Sequence, residues 1–137
     1  MLYPKRTKFR KYHKNIQNKK KPLVSATLLS LGKYGIQACE TSRISYQTIE
    51  AARRAISRKL KRSGQIWVKI FADIPITKKP AEVRMGKGKG NPVGWIANIA
   101  EGQILFEIDG VTHSNAKQAF LLAAQKLNCK SRFVQWS

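Results

Sequence analysis

Residues Ser45 to Gly64 read S-Y-Q-T-I-E-A-A-R-R-A-I-S-R-K-L-K-R-S-G, and this stretch decides how the rest of the chain is arranged. Serine is a favoured helix N-cap because its hydroxyl accepts a hydrogen bond from an unpaired N–H of the first turn, and glycine is favoured just past a helix end. The pattern therefore predicts a helix that follows Ser45, runs to Ser63 and stops at Gly64. At helical spacing Ile49, Ala52, Ile56 and Leu60 fall on one narrow apolar arc and are assigned to the core. Arg54, Arg58, Lys61 and Arg62 fall on the opposite side. Like charges four residues apart weaken an isolated helix by a few tenths of a kcal/mol per pair. A solvated face usually mixes signs, yet no acid follows Glu50 here. A face that meets phosphates is preferred over one that merely faces water.

Beyond the Gly64-Gln65 turn, Ile66 to Phe71 alternates as a strand, with Ile66, Val68 and Ile70 on one face and Trp67, Lys69 and Phe71 on the other. The second face has the chemistry to stack on nucleotides, but aromatic packing beneath the following loop is the commoner use and is preferred. Asp73, Pro75 and Pro80 then break regular structure. Pro80 to Trp95 reads P-A-E-V-R-M-G-K-G-K-G-N-P-V-G-W. Between Val83 and Val93 its one large apolar side chain is Met85, while Arg84, Lys87 and Lys89 alternate with Gly86, Gly88 and Gly90. Glycines lose the most backbone entropy on folding and like charges repel, so an outside partner must supply the ordering free energy. A polyanion fits, because glycine lets backbone N–H groups approach phosphates closely. A flexible, solvated hairpin tip fits this loop taken alone equally well. Neither the phosphate-cradling G-x-x-x-x-G-K-[ST] nor the dinucleotide G-x-G-x-x-G is present, since glycines follow both lysines and Asn91 stands where the last glycine belongs.

Trp95–Ala100 and Gln103–Asp109 read as a hairpin around Glu101-Gly102, with Ile104, Phe106 and Ile108 facing inward. Leu105, Glu107 and Asp109 then share the other face. A general acid/base pair is not assigned there, because Asp109 precedes the Gly110 turn and no nucleophile or metal-ligand pattern accompanies it. A second helix is predicted from Ser114 to near Asn128, carrying Ala116, Ala119, Phe120, Ala123 and Leu127 inward, followed by a closing strand from Ser131 to Trp136. On the N-terminal side of the first helix, Val24–Leu31 and Ile36–Glu40 read as two strands around a glycine-bearing turn. Residues 1–22 form a basic arm with Lys5, Arg6, Lys8, Arg10, Lys11, Lys14, Lys19, Lys20 and Lys21 and no acid. Tyr3, Phe9, Tyr12 and His13 are interleaved with these cations, an arrangement suited to stacking on unpaired bases. A solubilising tail and an import presequence are the other readings of the arm; the latter fits worse because the arm is lysine-dominated and irregular.

Twenty-seven Lys and Arg against seven Asp and Glu give a net charge of +20, a self-repulsion that an anionic surface would relieve. No apolar run approaches the roughly 20 residues of a membrane-spanning helix, so nucleic acid is preferred over a membrane. Cys39 and Cys129 lack C-x-x-C spacing and read as small hydrophobes, with a single bridge left open; His13 and His113 have no partners for a zinc site. The order of elements predicts an α+β fold, a mainly antiparallel sheet with two helices packed on one face, in one domain over residues 23–137 behind the arm at 1–22.

Several segments together resemble large-subunit ribosomal protein sixteen of the bacterial type: Pro4-Lys-Arg-Thr-Lys-Phe-Arg10, Ile49-Glu-Ala-Ala-Arg-Arg-Ala55, Ile66-Trp67, Pro75-Ile-Thr77 with Pro80, Val83-Arg-Met-Gly-Lys-Gly-Lys-Gly-Asn91, and Asp109-Gly-Val111. The resemblance covers nearly the whole chain in order, and the run from Arg84 to Asn91 is highly specific. Asn91–Trp95 and Phe133–Ser137 are similar to versions encoded in mitochondria.

The resemblance implies a non-enzymatic, cofactor-free structural protein seated beneath the central protuberance of the large ribosomal subunit. Its expected partners are large-subunit rRNA, aminoacyl-site tRNA and neighbouring large-subunit proteins, with no membrane. Lys5, Arg6, Lys8, Arg10, Lys11 and Lys14 of the arm, with Arg54, Arg58, Lys61 and Arg62 of the helix, are expected on rRNA. The loop residues Arg84, Met85, Gly86, Lys87, Gly88 and Lys89 are expected to face tRNA. The expected location is the mitochondrial matrix, with bacterial cytoplasm or plastid as the alternative. Because the chain starts at the family's usual first residues, synthesis inside the organelle without a cleaved presequence is expected. Between Asn15 and Tyr34 the chain departs from the family's glycine-rich basic turn and carries Lys19-Lys-Lys-Pro-Leu-Val24, so arm contacts past Lys14 transfer least. A free-standing RNA-binding regulator of the same fold is the alternative function.

Overall fold

The computed structural model of the protein describes residues 2–13 and 23–136. In chain order the elements are α1 (Val24–Thr27), β1 (Tyr34–Ala38), β2 (Ser42–Ser45), α2 (Tyr46–Lys59), β3 (Gln65–Val68), β4 (Ile74–Lys78), β5 (Asn91–Ile99), β6 (Ile104–Asp109), α3 (His113–Ala124) and β7 (Ser131–Gln135). Ser45 caps α2, its Oγ accepting from the Thr48 N–H at 3.2 Å. The helix stops at Lys59, short of Ser63. Lys61, Arg62 and Gly64 take left-handed backbone angles (φ 48°, 65° and 74°), which cannot continue a right-handed helix. Gly64 has a second reason to be glycine: a Cβ there would lie 2.4 Å from the Asp109 carbonyl oxygen of the adjacent strand.

The fold is α+β with antiparallel strands, and the strands divide between two sheets, ordered β3-β6-β1-β7 and β2-β5-β4. Helix α2 packs on β2 and β5 of the second sheet and on β3 of the first, α3 packs on β1 and β7, and the two helices pack on each other. Ile49, Ala52, Ile56 and Leu60 of α2 are buried as their spacing requires, beside Ala119, Ala123 and Leu127 near α3. Ile36, Phe106 and Ile108 meet them from one sheet and Ile44, Ala97 and Ile99 from the other. Each fully buried aliphatic side chain contributes roughly 1.5–3 kcal/mol relative to an exposed one.

Five readings of the sequence change. Val24–Leu31 is not a strand: it holds the single turn α1 and then an irregular strap. Ser42–Ser45 is a strand that the sequence reading missed. The strand expected from Ile66 to Phe71 ends at Val68, and Pro75 lies inside β4 instead of breaking structure. It is tolerated because β4 is an edge strand, where a missing N–H spoils no inner ladder. Finally, Trp95–Ala100 and Gln103–Asp109 are joined by the expected tight turn but do not pair. β5 bonds to β2 and β4, whereas β6 bonds to β1 and β3, so the turn carries the chain from one sheet to the other.

β6 is central and buried on both faces, so Leu105 and Glu107 are as inaccessible as Ile104, Phe106 and Ile108. Glu107 accepts from the backbone N–H groups of Ser30 (3.2 Å), Leu31 (2.6 Å) and Gly32 (2.9 Å) and lies 3.3 Å from the Lys69 ammonium. Burial pushes its carboxyl up, but the N–H groups of Leu31, Gly32 and Ser30 together with Lys69 outweigh it and hold the group below the usual glutamate range. Glu107 is thus the clasp that fastens the strap after α1 to the open face of the four-stranded sheet. Both cysteines are free thiols, Cys39 exposed and Cys129 buried. Among the described residues no helix is long and apolar enough to cross a membrane.

Candidate nucleic-acid interface

The face of α2 that turns away from the core carries Arg54 and Arg58, and the left-handed turn after it carries Lys61 and Arg62, all four exposed as predicted. Together with Arg53 and Ser57 they line one shallow groove. Arg53 was not singled out from the sequence; its signal is the i, i+3 spacing to Glu50. Glu50 binds both neighbours, with Arg53 at 2.7 Å and Arg54 at 2.8 Å. Its hydrogen bonds from Arg53, and secondarily Arg54, hold the carboxyl down to about 2 against the effect of burial. The charges of Arg53 and Arg54 are therefore partly offset. Arg58, Lys61 and Arg62 have no carboxylate partner among the described residues, and the left-handed turn at 61–62 ends the helix while keeping all three at one end of the groove.

The root of the arm is not free. The Leu2 carbonyl accepts from the Ala72 N–H at 3.1 Å, and Leu2 packs against the core. The Tyr3 ring sits 5.0 Å from Tyr46 and stacks at 6.5 Å on Trp95, so it is used inside the protein and not held ready for a base. Beyond it, Lys5, Arg6, Lys8, Arg10 and Lys11 are exposed, as are Phe9 and Tyr12. The Lys8 ammonium lies 5.4 Å from the Phe9 ring centroid, a cation–π contact. Lys14 and Lys19–Lys21 lie outside the described residues.

The glycine-lysine loop is the tip of the β4–β5 antiparallel pair. Arg84, Met85, Lys87 and Lys89 are exposed, and Met85 touches nothing apolar at 101% exposure, as a loop without a core anchor requires. Gly86 and Gly88 have φ of 103° and 93° with open space where a Cβ would stand, and Lys87 between them is also left-handed (φ 53°). The loop is braced by cations bonding carbonyls: Lys79 Nζ donates to the Gly86 oxygen and Lys89 Nζ to the Tyr12 oxygen. In return Lys11 Nζ donates to the Lys89 oxygen at 3.0 Å. The fold thus brings arm and loop together, two segments some 78 residues apart in sequence. No hydrogen bond or ion pair among the described residues joins the α2 groove to either. The described residues contain no group of three or more His, Cys, Asp or Glu able to hold a metal ion.

Residues 4–134 match the family Ribosomal protein L16p/L10e. The chain belongs to this family. It is 64% identical over 137 residues to the large ribosomal subunit protein uL16m of Marchantia polymorpha, with both chains covered in full. It is 56% identical to uL16m of Arabidopsis thaliana, covering all of this chain and 80% of that one. A bacterial member, the large ribosomal subunit protein uL16 of Rhodopseudomonas palustris strain HaA2, is 50% identical over 98% of this chain and 96% of its own. The L16p/L10e match spans the arm from Pro4, the helices α1 to α3, the loop, β1 to β6 and all but the last residue of β7.

Proposed function

We infer that this L16p/L10e protein is a non-enzymatic, structural constituent of the large ribosomal subunit, where it binds rRNA and neighbouring ribosomal proteins. It works in the mitochondrial ribosome, in the mitochondrial matrix. The uL16m relatives at 64% and 56% identity, against 50% for a bacterial uL16, support that location. The finer reading is that Lys5, Arg6, Lys8, Arg10, Lys11 and Lys14 with Arg54, Arg58, Lys61 and Arg62 anchor the protein on rRNA phosphates. Residues Arg84–Lys89 then reach toward tRNA at the aminoacyl site.

The observation that carries the reading is the exposure of Arg84 and Lys87 at the tip of the β4–β5 pair, a loop that Lys11 and Lys89 fasten to the arm at its base. The α2 groove, lined by Arg53, Arg54, Arg58, Lys61 and Arg62, supplies a second basic surface that no described hydrogen bond links to the loop. Arginine binds phosphate bidentately or stacks on a base, whereas lysine acts as a point charge. Arg84→Ala should therefore impair tRNA binding to purified large subunits sharply, while Lys87→Ala with Lys89→Ala weakens it more evenly. Neither change should lower the protein's occupancy in the subunit. Subunits that bind tRNA normally but lack the Arg84→Ala protein would make the loop an assembly anchor and end the tRNA reading.

A further inference from the structure

We propose that the cleft between the β3–β4 connection and β5 receives one unpaired guanine of the RNA, a contact that rests on the RNA-binding reading above. The cleft has a volume of about 270 Å³ and is lined by Lys69, Phe71, Asp73, Asn98 and Gln103 above buried aliphatic residues. It is smaller than the roughly 300–1,000 Å³ of sites for drug-sized ligands, a scale suited to a single ring system.

Phe71 was expected to pack beneath the basic loop, but it is 47% exposed, leaving a ring face on which a base can stack. Asn98 stands in the wall, its Oδ1 buried with no hydrogen-bond partner among the described residues. Asp73 is exposed and has no partner among the described residues, in a chain with only seven acids. A carboxylate repels a phosphate but accepts from a base. Gln103 has its Oε1 taken by the Ala100 N–H at 3.1 Å, which leaves its amide NH₂ to donate. The one cation present is spoken for: the Lys69 ammonium bonds Ser30 Oγ at 2.7 Å and Glu107 at 3.3 Å. The cleft therefore does not grip phosphate.

The two carboxylate oxygens of Asp73 and the Gln103 NH₂ around an exposed ring match the Watson–Crick edge of guanine, which offers N1–H and N2–H₂ as adjacent donors and O6 as acceptor. Adenine and cytosine offer a single amino group there and uracil a single imino N–H. Sequence in RNA is read mostly on unpaired bases splayed out in this way.

The test is fluorescence anisotropy of the full-length protein with four labelled pentaribonucleotides, U-U-G-U-U and its counterparts with A, C or U at the centre. The wild type should bind the guanine probe about tenfold more tightly than the other three. Asp73→Asn should bring the four to within about twofold while leaving affinity for the all-uridine probe unchanged or slightly higher. Phe71→Ala should also weaken the guanine probe selectively. Both side chains are exposed, so folding, checked by circular dichroism, should persist. Equal binding of all four probes by the wild type, or a guanine preference that survives Asp73→Asn, would overturn the cleft while leaving the RNA-binding reading intact. Loss of affinity for all four probes in an Arg58→Gln, Arg62→Gln protein reports on that broader reading alone, and a wild type that binds none would end both.

Discussion

Replacing Glu107 by Gln tests whether a buried carboxylate fastens the strap after α1. The wild-type group accepts from three backbone N–H groups and the Ser30 hydroxyl and faces the Lys69 ammonium. Glutamine keeps the shape and its oxygen can take the place of Oε2, but its NH₂ then replaces Oε1 beside the Ser30 hydroxyl and the Lys69 ammonium. The three N–H groups, all of which bond Oε2, then meet a neutral amide oxygen in place of a charged one, and the weaker bonds in a buried site cost roughly 1–3 kcal/mol together. Lys69 also loses its counter-charge, but its side chain is 27% exposed and water recovers part of that loss. The expected total is about 3 kcal/mol of global stability, a large share of the roughly 5–15 kcal/mol typical of a domain. The carboxyl is held below its usual value in the folded state, so its contribution is complete above the ordinary glutamate value of 4.5 and is lost as pH falls through the folded value. The gap between wild type and variant should thus be full at neutral pH and narrow below about 4.5. Glu50 titrates in the same acid range in both proteins and cancels from the difference. Urea unfolding followed by tryptophan fluorescence measures the gap, and amide exchange at Leu31 and Gly32 locates it. A difference under about 0.5 kcal/mol, with unchanged exchange at those two amides, would refute the clasp.

The remaining expectations follow from the basic surfaces and the neck of the loop. Gln in place of Arg54, Arg58 and Arg62 should leave the melting curve unchanged but flatten the log–log salt dependence of rRNA binding by about 2 units, short of the full 3, because Arg54 is already paired with Glu50. An unfolded triple mutant would contradict the assignment of that face. Gly90→Ala should destabilise the hairpin by about 2 kcal/mol or more, since its Cβ would stand 2.5 Å from the Lys78 carbonyl oxygen. Gly88→Ala, in open space, should cost only the left-handed strain of about 1 kcal/mol, and equal effects in thermal melts would remove the distinction. In the free protein, hydrogen exchange should be fast from Lys5 to Tyr12 but slow at Ala72, whose N–H is bonded to Leu2. Tyr3→Ala should speed Ala72 exchange, and its failure to do so would detach the arm root from the body.

Local chemistry was legible in the sequence wherever a single segment determined the outcome. The apolar arc of α2, its Ser45 cap and the inward residues of β6 and α3 needed only periodicity. The loop from Gly86 to Lys89 announced its exposure through the lack of any apolar anchor. What escaped was set by distant partners. Trp95–Asp109 reads as a hairpin because the turn is local, but which strand β5 bonds to depends on Ser42–Ser45 and Ile74–Lys78, neither of which carries a strong strand pattern. Pro75 looks like a breaker until the edge position of β4 is known. Glu107 looks like a surface carboxylate because its donors lie some 75 residues away. Tyr3 and Phe71 were each read in reverse for the same reason: Trp95 and Tyr46 take the first ring inside, and the second is left half exposed.

The most direct test of the central claim follows the protein itself. Mitochondrial lysate is sedimented through a cushion at moderate salt, and the protein is quantified in large-subunit, small-subunit and free fractions. A structural constituent anchored on rRNA should remain in the large-subunit peak in step with that subunit's rRNA, and should leave it only in the Arg54→Gln, Arg58→Gln, Arg62→Gln form or at high salt. Recovery of the wild-type protein mainly in the free fraction, with large subunits complete without it, would contradict the account and favour a free-standing RNA-binding regulator.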